Sequence, residues 1–112
     1  MTIKYRGREQ VSNINYGRTD VGPAVSSSQY SATSTSGEAL AANEQRAWAT
    51  FANTGNRVVY LAIGDAAVAG QGIVVQPDEV FRFDGPMMTG QAINAITQAG
   101  STTIAIEEVD IP

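Results

Sequence analysis

Apolar and polar residues alternate in short runs through the second half of the chain, and turn residues separate the runs. Over residues 79–84 the alternation is clean. Phe81 and Phe83 fall on one face and Arg82 and Asp84 on the other, the period-two pattern of a half-buried strand. Residues 46–53 and 57–63 form two further predicted strands, parted by the turn Asn53-Thr54-Gly55-Asn56. The second of these is the stronger, being rich in Val, Tyr, Leu and Ile. Residues 64–72 form a loop with three glycines, and residues 73–75 form a strand stopped at Pro77-Asp78. Residues 92–98 and 102–109 are predicted to form a last hairpin around Gly100-Ser101. Residues 38–49 also hold good helix formers, so a short helical turn is allowed at 39–44. The pattern predicts an all-β fold, a small antiparallel sandwich or barrel of about six to eight short strands.

The first forty residues read differently. Their large aliphatic side chains are Ile3, Val11, Ile14, Val21, Val25 and Leu40, and between Ser26 and Ser36 eight of eleven residues are Ser or Thr. Such a stretch buries too little apolar surface to offset its ordering entropy. Residues 1–40 are therefore expected to form an extended, partly flexible N-terminal arm and linker, and residues 41–112 the β-sandwich domain.

Charge sharpens this division. The chain of 112 residues carries a formal net charge of -4, yet its first twenty residues carry +2 and the remaining ninety-two carry -6. Lys4, Arg6, Arg8 and Arg18 are interleaved with Ile3, Tyr5 and Tyr16. Cations mixed with aromatic and aliphatic side chains suit an interface. Ile3, Lys4, Tyr5, Arg6, Arg8, Tyr16 and Arg18 are thus the expected partner-binding residues. Residues 1–25 form the expected docking arm. The acidic remainder argues against sequence-independent nucleic-acid binding, which needs clustered cations.

Composition removes much catalytic chemistry. Cysteine and histidine are both absent, so no disulfide framework, thiolate nucleophile, Ser-His-Asp triad or imidazole metal ligand is available. The loop at 64–72 lacks the Lys-Ser/Thr of a phosphate loop and leads into a strand. Asp65, Asp78, Glu79 and Asp84 lie in or near loops without a calcium-ligand spacing. A glycosidase carboxylate pair would want an aromatic-lined cleft. Trp48 and Tyr60 are the candidate sugar platform, though packing between neighbouring strands is the plainer role for large aromatics. Glu107, Glu108 and Asp110 read as a solvated terminal strand that blunts a sheet edge, or as a docking surface for a basic partner. Met87-Met88 reads as a soft contact surface at a loop tip. No enzyme activity and no cofactor are expected.

The longest clean apolar run, Val58 to Ile63, has six residues, against about 20 for a membrane-spanning helix. No apolar segment follows the basic start MTIKYRGREQ as a signal peptide would require. A soluble protein without membrane partners, made in a cytoplasm, is expected. Val58, Tyr60 and Ala62 alternate with Val59, Leu61 and Ile63, so this strand is apolar on both faces. Together with a small core, that predicts a homo-oligomer, a trimer, with Val59, Tyr60 and Leu61 at the subunit interface.

Several motifs recur in one known group. The opening Asn43-Glu44-Gln45-Arg46, the strand Val59-Tyr60-Leu61-Ala62-Ile63-Gly64 and the run Thr89-Gly90-Gln91-Ala92-Ile93-Asn94-Ala95-Ile96 resemble the small β-sandwich modules of tailed-bacteriophage virion proteins. There an N-x-x-R opening, a vYL-x-x-G strand and a tGaI-x-a-I strand recur. The resemblance covers about the last two-thirds of the chain. It implies a structural virion protein made in a bacterial host, a decoration or cement protein bound to the major capsid protein on the head surface. A head-fibre, neck or adhesin module that binds a host glycan is the alternative.

Overall fold

The computed structural model describes residues 24–85 and 88–111. Eight strands run through them: β1 (Val25–Ala32), β2 (Gly37–Leu40), β3 (Arg46–Asn53), β4 (Val59–Ile63), β5 (Ile73–Val75), β6 (Val80–Phe83), β7 (Ile93–Thr97) and β8 (Thr102–Asp110). They form two four-stranded antiparallel sheets in the orders β1-β8-β3-β6 and β2-β7-β4-β5. This is the strand order of a jelly roll, two interleaved Greek keys wound into a sandwich. Among these strands only β4 and β5 are both consecutive and hydrogen-bonded to each other; every other connection crosses from one sheet to the other.

The core follows from alternation. Ala32, Ala49, Phe51, Phe83, Ile104 and Ile106 point inward from the first sheet and meet Val59, Leu61, Val75, Ile93 and Ala95 from the second. Each fully buried Val, Leu, Ile or Phe contributes about 1.5–3 kcal/mol. Phe51, opposite Phe81 in the register, and Phe83, opposite Ala49, pack edge to face at 5.5 Å, and Phe81 meets Phe83 at 4.8 Å.

Three expectations are corrected. The Ser/Thr-rich stretch is not a linker: β1 and β2 both lie before residue 41, and β1 pairs with β8 along its whole length, from Val25↔Val109 to Ala32↔Thr102. The fold therefore needs residues that the composition had set aside. Its edge position explains this, because the first five residues of β1 are exposed and an edge strand need supply little apolar surface. Residues 39–44 form no helical turn; the bulged end of β2 is followed by a turn at Glu44-Gln45. Finally, β7 and β8 are not a hairpin. They lie in opposite sheets, and the connection through Gly100 carries the chain across the sandwich. Residues 1–23, most of the expected arm, lie outside the described residues.

Candidate functional site: two polar staples and an outer-face groove

A buried arginine organises one end of the sandwich. Residues 49, 51 and 53 of β3 face inward, so strict alternation would turn residue 46 outward. A bulge between Arg46 and Trp48 resets the phase. It directs the Arg46 guanidinium inward, where the side chain is fully buried. Nε donates to Glu108 Oε2 at 2.8 Å, Nη1 to the carbonyls of Thr89 and Gln91 at 2.7 and 2.9 Å, and Nη2 to the Ala41 carbonyl at 2.7 Å. A planar fork of donors suits this task, since one cation closes two loops onto two strands.

Asn43 completes the staple. Its Nδ2 donates to Asp110 Oδ1 at 2.7 Å, its Oδ1 accepts from the Gln45 amide, and its own amide donates to the Gly90 carbonyl at 2.8 Å. Gly90 lies so close to Asn43 that an added Cβ would sit 3.0 Å from the Asn43 carbonyl oxygen. The Asn43-x-x-Arg46 opening and the Thr89-Gly90 run are therefore two halves of one structural network.

Asn53 is the corresponding staple near the 53–57 turn. It is buried, donates through Nδ2 to the carbonyls of Arg57 and Val75 at 2.6 and 3.0 Å, and accepts at Oδ1 from the Gly55 amide and the Thr102 hydroxyl. All its hydrogen-bonding sites are directed at the fold.

The loop at 64–72 is likewise anchored. Gly64 donates to the Ala92 carbonyl, the Ala67 amide to Ser36 Oγ at 2.7 Å, and Asn94 Nδ2 to the Asp65 carbonyl at 2.6 Å. Gly64, Gly70 and Gly72 all have positive φ, and a Cβ on Gly72 would collide with the Leu61 carbonyl. The glycines thus serve a tight β4–β5 connection.

The acidic candidates are dispersed. Asp78 takes positive φ in the Pro77-Asp78 turn, closed by the Glu79 amide on the Gln76 carbonyl. Glu79 accepts from the Gln76 amide, and Asp84 pairs with Arg82 at 2.6 Å, both half-exposed. Among the described residues no group of three or more metal-binding side chains assembles. Glu107, Glu108 and Asp110 do not blunt an edge, because β8 lies between β1 and β3. Glu108 and Asp110 belong to the Arg46–Asn43 staple. Glu107 faces outward, 3.4 Å from the Ser27 hydroxyl.

The outer face of the first sheet holds a shallow groove of about 640 Å³ beside β1, bordered by Ser27, Gln29, Thr50, Ala52, Ala105 and Glu107. The in-register pair Ala52↔Ala105 provides small side chains at its floor. Trp48 lies on the same face of β3 and is covered by the Arg82 guanidinium, 4.3 Å from the ring centroid.

Tyr60 stands on the outer face of the other sheet. Trp48 and Tyr60 are therefore back to back across the sandwich and form no shared sugar platform. Val59 and Leu61, expected at a subunit interface, are fully buried between the sheets. Of that trio only Tyr60 reaches a surface, where it lies in register between Ile96 and Val74. The double-sided apolar strand is thus mostly sandwich core. Ile3, Lys4, Tyr5, Arg6, Arg8, Tyr16 and Arg18 lie outside the described residues, as do Pro86 and Met87. Sequence reasoning missed the two buried polar staples. Asn53 was legible from the inward phase of 49 and 51, but Arg46 was hidden by the bulge.

No family model, no curated protein and no solved structure matches this chain.

Proposed function

We propose that the protein is a structural component of a tailed-bacteriophage virion, a capsid decoration protein held on the outer head surface by its N-terminal segment. The major capsid protein is the intended partner. The observation that carries this reading is the segregation of charge: a net charge of +2 in the first twenty residues precedes ninety-two residues with -6. A sandwich closed by its own polar staples supplies a rigid body, and the basic segment supplies the attachment. Two further supports are the virion-module motifs and the jelly-roll order, which also occurs in viral capsid domains. The second is a fold-level analogy. Many copies on a lattice would compensate for weak individual docking through effective concentration.

The outer-face groove favours a second reading, a head-fibre or adhesin module that binds a host glycan there. Its polar border of Ser27, Gln29, Thr50 and Glu107 offers hydroxyl-binding groups.

Heads lacking the protein, mixed with the full chain and with a chain lacking residues 2–22, test the first reading by electron microscopy. The cut stops short of Val25 because that residue begins β1. Ordered density on the shell with the full chain, lost on truncation, is the expected result. Unchanged occupancy after truncation refutes docking by the basic segment. Glycan binding abolished by Glu107→Ala would favour the second reading.

A further inference from the structure

We propose that β1 is a joining edge, through which two copies of this chain pair antiparallel into one continuous sheet.

The four edge strands are not equivalent. β2 has four residues, carries Glu38 and is broken by a bulge between Glu38 and Leu40. β5 has three residues and is followed by Pro77. β6 has four and presents Arg82, which pairs with Asp84. Short length, charge, proline and bulges are the devices that keep sheet edges from pairing. β1 has none of them. Its eight residues, VSSSQYSA, include no charged residue and no proline, and its register with β8 is unbroken.

The backbone of β1 also points the right way. The Asp110 amide donates to the Ala24 carbonyl. Antiparallel ladders alternate between pairs that exchange hydrogen bonds and pairs that do not. The amides and carbonyls of Ser26, Ser28, Tyr30 and Ala32 therefore turn toward β8. Those of Val25, Ser27, Gln29 and Ser31 turn away from β8, to an edge that no described strand covers.

A second copy satisfies all of these groups at once. With a two-fold axis at Ser28, Val25 opposes Ser31 of the second copy and Ser27 opposes Gln29, so every outward amide and carbonyl of β1 finds a partner. Such a contact is self-complementary, as a two-fold interface must be. Added strands at sheet edges are a general mode of protein recognition. Charge permits the second copy at this edge. The residues after the basic segment carry a net charge of -6, whereas β1 brings no charge to the joint. The nearest carboxylates are the outward Glu107 side chains, one strand behind each edge. Three strand spacings separate them across the joint, roughly 14 Å, which exceeds the screening length of about 8 Å at physiological ionic strength.

The test is the mass of the full chain at micromolar concentration, by sedimentation or mass photometry. The expected species has twice the chain mass of 11.8 kDa. Gln29→Pro removes an outward amide without touching the β8 ladder, a position edge strands tolerate. The double variant Ser27→Lys/Gln29→Lys places lysines opposite each other across the two-fold axis. Each should halve the mass while far-UV circular dichroism stays that of the folded chain. If the proline variant fails to fold, the lysine pair decides. Tyr60→Lys, on the other sheet, should leave the dimer intact. A monomeric or trimeric native chain, a dimer indifferent to the lysine pair, or dissociation by Tyr60→Lys would each overturn the proposal. None of these results bears on whether residues 2–22 are needed for head binding.

Discussion

At the scale of single residues, the fold is governed by a few polar side chains placed where apolar ones would be expected. Arg46 is the chief of them. Its side chain is fully buried and its partner Glu108 nearly so. Replacing a buried pair by hydrocarbon is often neutral, but removing one partner leaves the other charge uncompensated. Arg46→Met should therefore cost about 3–5 kcal/mol in urea unfolding, and the double variant Arg46→Met/Glu108→Leu should recover part of that loss. A double variant no more stable than Arg46→Met would show that the three carbonyl contacts, not the ion pair, dominate. Asn53→Asp offers a second check. It replaces two amide donations to the Arg57 and Val75 carbonyls with a carboxylate facing two acceptors. A fall in the urea midpoint larger than that of Thr102→Val is expected, since the valine removes only one hydrogen bond to Asn53. These residues were only partly legible in the sequence. The opening Asn43-x-x-Arg46 was visible as a motif. That both residues act as internal staples depends on a bulge and on loops brought from residues 89–91, which no local pattern announces.

At the scale of elements, legibility followed burial. β3 and β5 lie at the expected residues, because each commits one face to the core, and β3 keeps period two from Trp48 to Asn53. β4, β6 and β7 differ from expectation only at their ends. β1 was missed because an edge strand supplies backbone pairing rather than apolar surface, and its serines carry no hydropathy signal. The pairing of β7 was misread for another reason. A short turn at Gly100-Ser101 fits a hairpin as well as a crossing between sheets, and the choice is made by β1 and β3, which occupy both sides of β8. The β1–β2 corner has its own requirement. A Cβ on Gly37 would overlap the Tyr30 hydroxyl, so the tyrosine of β1 lies across the glycine of β2. Gly37→Ala should destabilise the protein by about 1–3 kcal/mol, the usual cost of overpacking. Tyr30→Phe should reduce that penalty by removing the overlapping atom. Thermal melts of the two single variants and the double variant give the coupling directly. Additive effects would mean that the ring moves aside freely.

At the scale of the whole molecule, the first described strand pairs with the last. β1 lies against β8 from Val25 to Ala32, and β8 lies against β3 from Asn53 back to Arg46. Every sheet neighbour and every core side chain of the described sandwich falls between Val25 and Asp110. The polar staples close within the same limits, and Asp110 is already held by the Ala24 carbonyl and Asn43. The four cations Lys4, Arg6, Arg8 and Arg18 lie in residues 2–22, outside the described residues. If attachment resides in the basic segment, as proposed, stability and attachment belong to different parts of the chain. A chain lacking residues 2–22 should unfold in one cooperative transition, with stability within about 0.5 kcal/mol of the full chain. Its dependence on urea concentration should also be unchanged, because that slope scales with the surface exposed on unfolding. A chain lacking residues 25–32 as well should lose the cooperative transition, since β8 would then have one neighbour instead of two. If the shorter deletion lowers both midpoint and slope, residues 2–22 are part of the cooperative unit, and loss of head binding on truncation would no longer identify them as the attachment segment.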